Sequence, residues 1–278
     1  MGQTVLEIVI APLLVAGATL VGRRWGAGVG GLVSAFPAVV GPVLLIIAQQ
    51  RGDSAASRAA SATLLGLVAL SGFAVAYARA ARGTRWLASL AAGWACAIAA
   101  SATAGWSLAG AGLPAALAAA VLSIATAKAA LPRSAAQSHI GPPQHRPRGD
   151  IPMRMALTAT LIVLLTVSSD MFGPVVGGML AALPVLASVL AVFTHRVYGS
   201  GATIGLLGGM LTGMAGFVAF CAVIALLLVP AGTAVAFAVA TVCAVAAQVL
   251  ALRGGAWVTA SGIYRATTPC SASEASSA

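Results

Sequence analysis

Gly30, Gly31, Ser34 and Pro37 lie in the twelve-residue segment Gly26 to Pro37 (GAGVGGLVSAFP), and Gly177, Gly178 and Pro184 recur at the same spacing in Gly173 to Pro184 (GPVVGGMLAALP). In apolar surroundings such residues have one chemistry to offer, which is coordination by main-chain groups. A proline inside a helix removes one N–H and displaces the carbonyl four residues earlier, here Val33 and Leu180, while the glycines leave the backbone uncovered. Freed groups at such a break can bind a small solute, as the half-helices of secondary transporters do near the bilayer midplane. The plainer reading is a kink with close packing, because Gly and Pro are frequent in membrane helices and small residues one turn apart commonly serve packing alone.

Little else in the chain could do chemistry. Glu7 and Asp170 fall near the outer ends of apolar stretches and are weak candidates for coupling; solvated interfacial positions account for them equally well. Gln248 falls near the inner end of the last stretch. Ser34, Thr63, Ser71, Ser188 and Thr212 are expected to bond back to helix carbonyls. Cys96, Cys221, Cys243 and Cys270 lack metal-ligand spacing and read as packing residues. His139 and His145 belong to a polar linker, and His195 beside Arg196 reads as a helix-end residue at an interface. No phosphate-binding loop, metal cluster or nucleophile–base pair is present in the sequence, so neither an enzyme nor a cofactor is expected.

The elements carrying these residues belong to a membrane. Of 278 residues, 60% are hydrophobic and 7% are charged, a composition outside the range of water-soluble domains. Spanning helices need roughly 20 apolar residues, and nine stretches qualify, at about 4–22, 27–48, 59–78, 86–105, 112–131, 153–169, 173–194, 202–229 and 232–252. With the N-terminus outside, this count puts 13 of the 15 basic residues on the cytoplasmic face, leaving only Arg51 and Arg58 outside. Positive-inside bias thus explains the net charge of +10 without a nucleic-acid partner. The first stretch has no basic residue before it and Arg23 and Arg24 after it, so it reads as a retained anchor. The expected organisation is a first repeat over 1–110, a linking helix over 111–131, a Pro-rich cytoplasmic linker over 132–151, a second repeat over 152–253 and a disordered cytoplasmic tail over 254–278.

Pairing each residue with the one 147 positions later extends the doubled motif. Over 25–80 against 172–227 there are 12 identities in 56 positions, where composition alone would give about 6. They include Gly30/Gly177, Gly31/Gly178, Pro37/Pro184, Gly52/Gly199, Gly66/Gly213 and Phe73/Phe220. The register maps the first four spans onto the last four and leaves the fifth unpaired. An unpaired span forces the second repeat to enter the membrane from the opposite face, so the expected fold is an all-α bundle of two inverted four-helix repeats plus a linking helix.

From Ala27 to Gly52 (AGVGGLVSAFPAVVGPVLLIIAQQRG) and on through Tyr77, the chain resembles the GlpM-like family of small membrane proteins, which carry a comparable "AGL…FP" helix, a short polar turn with Gly and a third helix. The resemblance covers each half separately, at 1–105 and 153–252. It implies a polytopic inner-membrane protein linked to exopolysaccharide production, and supplies no catalytic residues. Two functions follow as expectations: a secondary transporter of a small solute working by alternating access, or a non-transporting scaffold for cell-envelope assembly. The bilayer is the one certain partner, and the small-residue faces are also compatible with a homo-oligomer.

Overall fold

The computed structural model describes residues 2–37, 40–107, 112–132, 151–160 and 184–266, with side chains from residue 12 to residue 253 of these. Among them there is no strand. The helices are α1 (Gly2–Trp25), α2 (Ala27–Ser34), α3 (Val40–Arg51), α4 (Asp53–Ala80), α5 (Trp86–Ser107), α6 (Leu113–Ala130), α7 (151–160), α8 (Val185–Ala231) and α9 (Thr233–Ala266). Five of them are long and apolar enough to cross a membrane, namely α4, α5, α6, α8 and the Thr233–Arg253 part of α9. The described residues are therefore all-helical, and their apolar helices are those of a multi-pass membrane protein.

Glycines in the left-handed region mark the joints. Gly52 (φ 85°) separates α3 from α4, and Gly199 (φ 80°) divides α8 into an arm before it, α8a (185–198), and an arm after it, α8b (200–231). The two glycines are 147 residues apart, and a side chain at either would meet the steric conflict that makes this region costly for L-residues. Pro37 and Pro184 obey the same offset: each sits just ahead of a helix start, at Val40 and at Val185.

The buried face of α5 repeats in α9. Ser89, Gly93 and Ala97 are buried on α5, and Ala236, Ala240 and Ala244 are buried on α9. Every pair again differs by 147. Spacing of four residues puts each set on one helix face, and each face packs on the preceding long helix, α5 on α4 and α9 on α8. Small residues are needed there because the partner helix contributes rings. Gly93 lies under Phe73, where an added methyl would come within 2.7 Å of the ring, and the equivalent Phe220 stacks edge-on to Phe237 at 6.1 Å.

At the centre, α4 and α8b lie side by side and antiparallel. The Ser57 hydroxyl, near the start of α4, donates to the Ala225 carbonyl near the end of α8b at 2.8 Å. At the other end of α4, Tyr77 Oη lies 3.4 Å from His195 Nδ1, shortly before Gly199. Helix α6 packs on both, burying Ala116, Ala120 and Ala127 along one face.

Some expectations change. The last helix continues to Ala266, beyond the end expected near residue 252, so the first part of the expected tail is helical. Most of the 132–151 linker, the end of the sixth stretch and the start of the seventh, including Asp170, Gly177 and Gly178, lie outside the described residues.

Candidate functional site

The helix broken by Pro37 is the centre of the candidate site. Pro37 has no N–H for the Val33 carbonyl, and the last turn of α2 tightens in response: Phe36 N–H donates to Val33 O at 3.1 Å, and Ala35 N–H is shared between Gly31 O and Leu32 O at 3.2 Å each. Leu32 O thereby loses the Phe36 N–H that an unbroken helix would give it. Helical bonding resumes where Gly41 N–H donates to Pro37 O at 2.9 Å. The break expected from the sequence is present; Val33 O takes the Phe36 N–H in place of the missing proline N–H, and Leu32 O is left with only a share of the Ala35 N–H.

The glycines beside the break serve a close crossing. Gly28 and Gly31 on α2 meet Gly205, Leu206, Gly209 and Met210 on α8b, and a methyl at Gly31 or at Gly209 would overlap the carbonyls of Leu206 and Gly28 respectively. Gly30 faces the other way, onto α1, where a methyl would come within 2.7 Å of Ala18 O. Two glycines in succession thus let one short helix touch two neighbours at backbone distance. The α2 surface read as a candidate binding face is, at Gly28 and Gly31, a contact with α8b.

Gln248 is the polar residue at this place. It is 8% exposed, and its Nε2 lies 3.4 Å from Leu32 O and 3.3 Å from Gly213 O, donating to α2 and α8b at once. Reading the last stretch as 232–252 put Gln248 near the inner end of a span. It contacts Gly213 and Gly216, in the middle of α8b, and stands five residues before the end of the apolar Thr233–Arg253 stretch. The signal that could have found it is the 147-residue register, since Gln248 pairs with Ser101 and continues the buried row through Ala236, Ala240 and Ala244.

Pro184 caps α8 and begins a second polar contact. Ser188 Oγ donates to Pro184 O at 2.8 Å and accepts from Trp94 Nε1 at 2.8 Å, tying α5 to the first turn of α8. Of the hydroxyls expected to bond back to their own helices, Ser34 (to Gly31 O, 2.6 Å), Thr63 (to Ala59 O), Thr212 (to Gly208 O) and Ser188 do so. Ser71 does not: its Oγ, like that of Ser101, is buried with no partner among the described residues. The side chain of Glu7 lies outside the described ones.

Cationic and aromatic groups collect at the end of the bundle where α4 meets α8a. Arg154 is buried with its guanidinium 4.8 Å from the Phe193 ring centre, Arg196 lies 5.4 Å over Trp86, and Arg79 Nε donates to Ala130 O at 3.2 Å. Arg154, counted among the basic residues of the cytoplasmic face, is buried on α7 against α8a. A guanidinium is held over a ring face by the quadrupole of the ring. His195 stands at the contact of α8a with α4, its ring 6.0 Å from that of Tyr77.

Among the described residues there is no cluster of His, Cys, Asp or Glu able to hold a metal ion. Comparison with protein-family models, characterised proteins and solved structures finds no match to this chain.

Proposed function

We propose that this membrane protein is a secondary transporter of a small solute, built from two inverted repeats and working by alternating access around the breaks at Pro37 and Pro184. The observation that carries the reading is the antiparallel pairing of α4 with α8b, helices that occupy the same place in the 147-residue register. Equivalent helices lying side by side and antiparallel are what a two-fold axis in the membrane plane requires. The matching joints at Gly52 and Gly199 support the same relation.

Nine spans follow if α2 and α3 together make one broken span and α8a and α8b belong to two. The basic residues then support an N-terminus outside and a cytoplasmic C-terminus, since Arg79, Arg154 and Arg196 gather at one end of the bundle while Arg51 and Arg58 lie towards the other. On this reading the chain is a fusion of two GlpM-like units joined by α6, placed in an inner membrane. A neutral or weakly anionic solute suits a site made of main-chain groups and a carboxamide.

Reconstitution into liposomes with a panel of neutral and weakly anionic solutes tests the proposal. Flux of at least one solute above protein-free liposomes is expected, and Pro37→Ala combined with Pro184→Ala should reduce it at least tenfold. An established flux unchanged in the double variant would remove the paired breaks from the mechanism. The scaffold reading draws on the exposed apolar surface, including Trp106 at 90% exposure, which lipid covers equally well.

A further inference from the structure

We propose that Gln248 is a latch, holding the broken end of α2 against α8b in one conformation and releasing it in the other. This rests on the alternating-access reading and adds the residue that keeps the first half closed.

Three facts place the latch. Leu32 O has exchanged a full helical bond for a share of the Ala35 N–H, because Phe36 N–H has turned to Val33 O, and so has acceptor capacity left. Gln248 Nε2 reaches that carbonyl from α9 while also reaching Gly213 O on α8b, so one amide joins three helices. Both contacts, at 3.4 and 3.3 Å, are at the long end of the hydrogen-bond range. In a span interior the alternative to such a bond is another polar partner, and measured worth is correspondingly modest. A contact that is specific yet weak can be exchanged for water or solute at the same carbonyl.

The repeat sharpens this. Ser101 holds the equivalent place on α5, and its hydroxyl is buried without a partner among the described residues. A serine lacks the reach of a glutamine and has one donor where the amide has two. The two repeats are therefore unequal at this position: the second supplies Gln248, which grips α2 of the first, and the first supplies only a serine.

Labelling of Ser34→Cys with a membrane-impermeant maleimide, applied separately from each side and read above the native thiols, tests the latch. Gln248→Leu keeps the bulk and removes the amide; it is expected to raise the labelling rate at least fivefold from one side only. Gly216→Ala keeps the amide and dislodges it, because the added methyl would meet Gln248 Cγ at 2.6 Å and Ala244 O at 2.7 Å; it should act in the same direction. Unchanged rates in both variants, with monodisperse protein in detergent, would overturn the latch, as would loss of monodispersity in both, which would make Gln248 a packing residue. Should one variant aggregate, the other decides. A rise equal from both sides would keep the latch and contradict alternating access.

Discussion

Gly31 and the carbonyl of Leu206 meet with no side chain between them, so that α2 rests directly on the backbone of α8b. Gly209 makes the reciprocal contact with Gly28. Membrane helices associate through packing and polar contacts rather than through expulsion of water, and this crossing brings the broken end of α2 within reach of Gln248.

Gly31→Ala and Gly209→Ala should each destabilise the protein by about 1–3 kcal/mol, the usual cost of forcing atoms into a filled space. Gly66→Ala is the control, because nothing lies within 4 Å of its added methyl. Thermal unfolding in detergent checks this: a lowered Tm is expected for the first two and none for Gly66→Ala.

Gly52→Ala and Gly199→Ala should cost similar amounts, about 1–2 kcal/mol each, although both sites have open space. The penalty comes from φ values of 85° and 80° combined with ψ values of 162° and −179°, a region open essentially to glycine alone, so Asn should cost about as much as Ala at both. Equal behaviour in the same assay would reflect their equivalence; a penalty at only one would count against it.

Gly93→Ala should push the Phe73 ring, since the added methyl would lie 2.7 Å from two ring atoms. Phe73→Leu should relieve part of that loss. A double-mutant cycle is expected to show coupling above about 0.5 kcal/mol, whereas additive effects would mean that the ring moves freely.

A reporter fused at Gln144 should be cytoplasmic. External labelling there would reverse the orientation inferred from the basic residues and the nine-span count with it.

Some of this arrangement was legible in the sequence because it rests on local chemistry. The stretches 86–105 and 112–131 became α5 (Trp86–Ser107) and α6 (Leu113–Ala130), since hydropathy and the Gly and Pro between them act over a few residues. The break at Pro37 was legible for the same reason: a missing N–H needs no tertiary information. The contact of Gly31 with Leu206 was not, because glycine says that something comes close but not what. The role of Gln248 was not legible either, because hydropathy places a residue along its span but does not say which carbonyls of other helices it will meet. Nor was the contact of Arg154 with Phe193 legible, because charge bias assigns a membrane face and says nothing of the ring that covers the guanidinium.

Trans-acceleration in proteoliposomes tests the central claim most directly. With any solute that the protein admits, liposomes preloaded with the unlabelled solute should take up the labelled form several-fold faster than empty ones, because a site that must reorient returns faster loaded than empty. Uptake that is indifferent to preloading, with the protein folded and flux established, would contradict alternating access between the two halves.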